Sequence, residues 1–260
     1  MINWLYSLPD ILVVGLAAAT LAALVTLLPR LVRRVPILAP GEASTDFVLR
    51  VQATLFTMCA LILTFTLAEA DGNFRRVDAL VSAEASQIDR LDRLLFRYGH
   101  PTAVETRKHL RAYTKSIIDE EWPAMLAGGE SEKTRLAFAP VSRAILSFDP
   151  SPGRQVEIYA EMLRTFNAVA ESRDARLNAV SIGLPTIYWC VVLFAASMLL
   201  FVSSTIHRTR FSAIILACQM AVLGGFIGFA FVSDQPFKGA TGVDTSDHVR
   251  ALKRMDNRVP

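Results

Sequence analysis

The sequence predicts an all-α membrane protein. Four transmembrane helices carry a four-helix soluble bundle inserted between spans 2 and 3, and the bundle's outer helices are continuous with those spans. Three observations lead there. The chain of 260 residues is 52% hydrophobic with a mean hydropathy of +0.37, too apolar for an ordinary soluble domain. Apolar runs at 11–28, 47–67, 184–203 and 211–232 each come near or exceed the roughly 20 residues that cross a bilayer, and Arg, Lys, Asp and Glu are almost absent from them. Between the second and third runs the chain turns charged yet keeps apolar residues at helical spacing. The expected organisation is spans 1 and 2 in residues 1–70, the bundle in 71–182, spans 3 and 4 in 183–233 and a tail in 234–260.

The first span is rich in small residues, Gly15, Ala17, Ala18, Ala19, Ala22 and Ala23, which let helices approach closely in lipid, and Pro29 ends it. No Lys or Arg precedes it, whereas Arg30, Arg33 and Arg34 follow it; that order fits an uncleaved span with its N-terminus outside. In the second span Thr54, Thr57, Leu61, Thr64 and Ala68 share one face, and Gln52, Cys59 and Thr66 share the opposite one. Thr54, Thr57 and Thr64 are candidate pore-lining residues; the alternative is helix packing with each hydroxyl bonded to its own carbonyl ladder.

The apolar stripe continues past the span through Phe74, Val77, Val81, Ala85, Ile88, Leu91 and Leu95, with only Gly72 weakening the join, so one long helix is expected. Gly99-His100-Pro101 breaks it, and Thr102 with Glu105 reads as a capping box opening the next helix. That helix ends in Asp119-Glu120-Glu121-Trp122-Pro123, where three carboxylates are badly placed for the helix dipole and call for cationic partners. They read as a salt-bridge cluster, with an acid/base or metal site as the alternative. Ser131 caps a third helix containing Pro140; Ser151 and Pro152 open a fourth. The fourth has a clean apolar face broken by Arg173. A buried Arg there needs a carboxylate, with Glu120 or Glu121 first and Glu84 second; the alternative is an edge position from which it snorkels out.

Gly183-Leu184-Pro185 predicts a kink into span 3, and His207, Arg208 and Arg210 form the turn into span 4. Span 4 places Ala217, Ala221, Gly224, Gly225 and Gly228 at close-contact spacing. The tail opens with the turn Asp234-Gln235-Pro236-Phe237-Lys238-Gly239 and allows a short amphipathic helix on Val249, Leu252 and Met255.

Several functions lack their signatures. Net charge is only +3 with both signs interleaved, so no nucleic-acid footprint stands out. Cys59, Cys190 and Cys218 all fall in apolar runs and read as buried small hydrophobes, without disulfide or zinc spacing. No metal, cofactor or catalytic residue is expected, and no enzyme motif is present. The short basic loops point to the cytosol, which puts the bundle outside it, in a multi-pass protein of the bacterial inner membrane.

The helix around 70–97, Glu121-Trp122-Pro123, Asp174-Ala175-Arg176-Leu177 running into Leu184-Pro185, and Asp234, Pro236, Phe237 and Gly239 of the exit turn occur in this order between paired spans. Together they resemble the bestrophin-like domain family, four-span membrane proteins of unknown function, over nearly the whole chain. The resemblance implies kinship with bestrophins, pentameric anion channels whose funnel of helices continues into a soluble, cytosolic domain. It makes a homo-oligomer in the lipid bilayer with an anion permeant the first expectation. A non-conducting scaffold or signalling protein whose bundle binds a partner is the alternative, and an ion-driven stator-like unit the third.

Overall fold

A computed structural model describes residues 8–29, 45–206, 209–239 and 242–258. The described residues are helical, without strands: α1 (Asp10–Leu27), α2 (Thr45–Tyr98), α3 (Pro101–Ser116), a π-helical turn (Ile117–Glu121), α4 (Trp122–Leu126), α5 (Glu132–Leu146), α6 (Arg154–Ala179), α7 (Thr186–Thr205), α8 (Arg210–Ser233) and α9 (Ser246–Asp256). The readings of His207, Arg208 and the basic loop 30–44 lie outside the described residues. The chain divides into two units, Met1–Phe74 with Gly183–Gly242, and Arg75–Ile182 with Val243–Pro260.

The first unit holds the four helices long and apolar enough to cross a membrane: α1, the apolar half of α2, α7 and α8. They share a core of Val25, Cys59, Leu63, Val192, Leu199, Leu200, Met220 and Leu223. α8 meets α1 backbone to backbone. A Cβ at Gly224 would lie 2.5 Å from the Ala17 carbonyl oxygen, and one at Gly228 would lie 2.9 Å from Val14 Cα. Gly225 has no such neighbour, so of the three glycines only Gly224 and Gly228 make the close approach. Cys59 is buried, but Cys190 and Cys218 are exposed in the single chain, which corrects the reading of all three as buried.

The second unit is built from the charged half of α2, α3 to α6, and α9. Its core includes Val77, Ile88, Leu91, Leu110, Tyr113, Ile117, Ile145 and Met162. Ser131 caps α5 as expected, its hydroxyl accepting from Thr134 N at 3.3 Å. Two starts differ. α3 is capped by His100, whose Nδ1 accepts from Thr102 N, with Pro101 as the first helical residue. α6 begins at Arg154 because Gly153 sits at φ +100, a left-handed turn that the helix cannot include.

The two helices expected to run on from spans 2 and 3 behave differently. α2 is one uninterrupted helix through Gly72. α6 stops at Ala179, and α7 starts only at Thr186, which corrects the expected continuity with span 3. Pro185 has no N–H and disfavours helical geometry at Leu184. The amide that this frees is satisfied elsewhere: Leu184 N donates to Asp234 Oδ1 at 2.5 Å. The tail helix also differs. Its buried face is His248, Ala251 and Met255, while Val249 is exposed.

Candidate functional site

A cluster of charged side chains lies within the apolar interior of the second unit. Arg176, from the face on α6 that also holds Phe166, Val169 and Arg173, is fully buried. Its Nε donates to Glu84 Oε2 at 2.5 Å and its Nη2 to Glu84 Oε1 at 3.1 Å and to Glu121 Oε2 at 2.6 Å. Arg173 Nη2 donates to the other oxygen of Glu121. Two guanidiniums thus face two carboxylates, bidentate where Arg176 meets Glu84, the arrangement in which buried ion pairs offset their desolvation. The Trp122 ring lies 5.9 Å from the Arg176 guanidinium and 6.1 Å from the His248 ring. His248, fully buried on α9, places Nε2 3.2 Å from Glu84 Oε2. A carboxylate only accepts, so Nε2 carries the hydrogen.

This setting controls the Glu84 carboxyl. Burial, the largest influence, pushes it upward, but the His248 hydrogen bond and the Arg176 charge outweigh burial and hold it at about 2. Burial works against the charge on Arg176 too, and the two carboxylates raise it above its ordinary value nonetheless.

The π turn puts Glu121 there. Pro123 cannot donate to the helix, and the turn ahead of it widens, with Trp122 N bonding to Ile117 O. Tyr113, Ile117 and Glu121 then all point inward at intervals of four. The expectation that Glu120 joins the cluster is corrected: neighbouring residues on a helical turn diverge, and Glu120 faces outward to Lys133, with its side chain 42% exposed. The structure brings Glu84, Glu121 and Arg173 together and adds Arg176 and His248, which the sequence reading left out. A second polar cluster lies in the same unit. Arg107 Nε donates to Asp92 Oδ1 at 2.8 Å, and Arg258 bonds Asp89 and Asp92. Arg111 and Arg107 in turn donate to the Met255 and Arg258 carbonyls.

In the first unit, Thr54, Thr57 and Thr64 lie exposed on one face of α2, each hydroxyl donating to the carbonyl four residues back. The opposite face is buried. Gln52 Nε2 donates to Gln219 Oε1 at 2.8 Å and approaches Ser203 Oγ at 3.4 Å. The exit turn is organised by Asp234, which accepts from Leu184 N and from Trp189 Nε1 at 3.2 Å. Pro236 and Phe237 are buried, and Gly239 takes φ +86 with the Asp10 carboxylate 3.1 Å from where a Cβ would stand. Among the described residues no group of His, Cys, Asp or Glu is placed to hold a metal ion.

Four apolar spanning helices with their own shared core, joined in one chain to charged helices, define a multi-pass membrane protein. The model of the bestrophin-like domain matches residues 15–247, so the chain belongs to the bestrophin-like domain family. None of the curated proteins matches it significantly. A crystal structure of a membrane protein superposes with a TM-score of 0.64 over 95% of this chain and 97% of that one, at 11% identity, a likeness of fold.

Proposed function

We propose that the protein assembles as a homo-oligomer in the membrane and passes small anions along a path between copies, lined by Thr54, Thr57 and Thr64 of α2. The observation that carries this reading is the sidedness of α2. Its Gln52, Cys59, Leu63 and Thr66 face is covered within the chain, while the hydroxyl-bearing face is left open. A hydroxyl bonded to its own helix can swing its O–H toward a passing anion at little cost. The purified chain in liposomes should release trapped chloride, and Thr57→Leu should slow that release severalfold without changing the oligomer. A well-folded oligomer that releases none overturns the proposal.

One observation favours a second reading. Met58, Leu61 and Phe65 share the exposed side of α2 with the threonines, an apolar surface suited to helix or lipid contact. On that reading the protein is a non-conducting scaffold whose charged helical unit binds a partner, and liposomes stay sealed. The positive-inside rule supports a non-cytosolic second unit. A thiol at Gly129, labelled from one side only, tests this; Gly128 is unsuitable because its φ of +89 strains any side chain.

A further inference from the structure

The first unit contains a cavity of about 670 Å³ between α1, α7 and α8, well within the range of small-molecule sites. Val13, Leu16, Leu193, Ile227 and Phe231 give it apolar walls, and it opens sideways past Leu16 and Leu193, both more than half exposed. One end is different in kind. Asp234 closes it, 8% exposed, with Oδ1 accepting from Leu184 N and Oδ2 from Trp189 Nε1. Among the described residues no Lys, Arg or His pairs with this carboxylate. A buried carboxylate that holds only neutral N–H donors retains an uncompensated charge, which a cation would relieve.

We propose that this cavity binds a phospholipid whose headgroup ends in a primary ammonium, with the ammonium against Asp234 and the start of one acyl chain along the apolar walls. Three features fit that occupant. Asp234 directly follows α8 and lies two residues' bonding from the start of α7, so it sits at the ends of two spans, the level of headgroups. The Trp189 indole beside it, packed edge-on against Phe231, offers a ring face that attracts an ammonium. From Asp234 the lining follows α8 back to Ile227 and α1 from Val13 to Thr20, about 10 Å of helix directed into the hydrocarbon. A lipid with an anionic head and no ammonium would bring like charge to Asp234.

The test uses the full chain in detergent, titrated with phosphatidylethanolamine carrying brominated acyl chains and with phosphatidylglycerol carrying the same chains. Binding is read as quenching of Trp189, the wild-type signal minus that of Trp189→Phe. The ammonium lipid should half-saturate at about tenfold lower concentration, and Asp234→Asn should abolish that difference. Thr20→Phe, which narrows the deep end away from Asp234, should reduce quenching by both lipids severalfold. Equal binding of the two lipids by wild type overturns the proposal, as does a preference that survives Asp234→Asn. If Asp234→Asn fails to fold, unchanged quenching in Thr20→Phe overturns it.

Discussion

Arg176 is the residue on which the second unit's interior turns, since it satisfies both buried carboxylates at once. Arg176→Met keeps much of the volume but leaves Glu84 only His248 and Glu121 only Arg173, and should cost about 3–5 kcal/mol by denaturant unfolding in detergent. Glu120→Ala, removing an exposed pair, should change stability by less than about 0.5 kcal/mol. The Glu84 carboxyl, beyond the apolar part of α2, adds a pH dependence of definite sign. Its value falls from an ordinary 4.5 to about 2 on folding, so it stabilises the fold fully above 4.5 and loses that effect as pH drops toward 2. The difference is worth about 3 kcal/mol. Unfolding compared between wild type and Glu84→Gln from pH 7 to pH 3 should show the gap closing below 4.5; a constant gap would refute the assignment.

At the level of elements, the α1–α8 contact depends on two missing side chains. Gly224→Ala and Gly228→Ala would drive a Cβ into α1 backbone and should each destabilise by about 1–3 kcal/mol, whereas Gly225→Ala should be close to neutral in thermal melts. The periodicity made the spans, the unbroken α2 and the Ser131 cap legible, because each depends on residues near in sequence. What it missed depends on partners far away. The gap between α6 and α7 is held by Asp234, some 50 residues downstream. The inward face of α9 looks like Val249, Leu252 and Met255 by hydrophobicity, but Glu84 draws His248 inward instead. Arg176 carried a usable signal, since it lies one turn from Arg173 on the same face, and a second Arg beside the first implied a second carboxylate. Three adjacent acids on one turn cannot all face inward, which separates Glu121 from Glu120.

Across the molecule, the second unit draws its helices from two distant stretches of chain. The segment after Gly242 supplies His248 to Glu84 and Arg258 to Asp89 and Asp92, and it receives Arg107 and Arg111 on its carbonyls. A chain ending at Gly242 should therefore keep its spanning helices but become readily cleaved by protease within 75–182, with fragments identified by mass spectrometry. Wild-type resistance in that truncated chain would show these ties to be dispensable. The same ties set an order of events during biosynthesis. Residues 84, 89 and 92 leave the ribosome early, and Arg107 and Arg176 follow for Asp92 and Glu84, but His248 and Arg258 are still to come while two more spans are threaded into the bilayer. The stretch after Gly242 then brings His248 to Glu84 and Arg258 to Asp89 and Asp92, so the interior of this unit is completed only once those spans have been made.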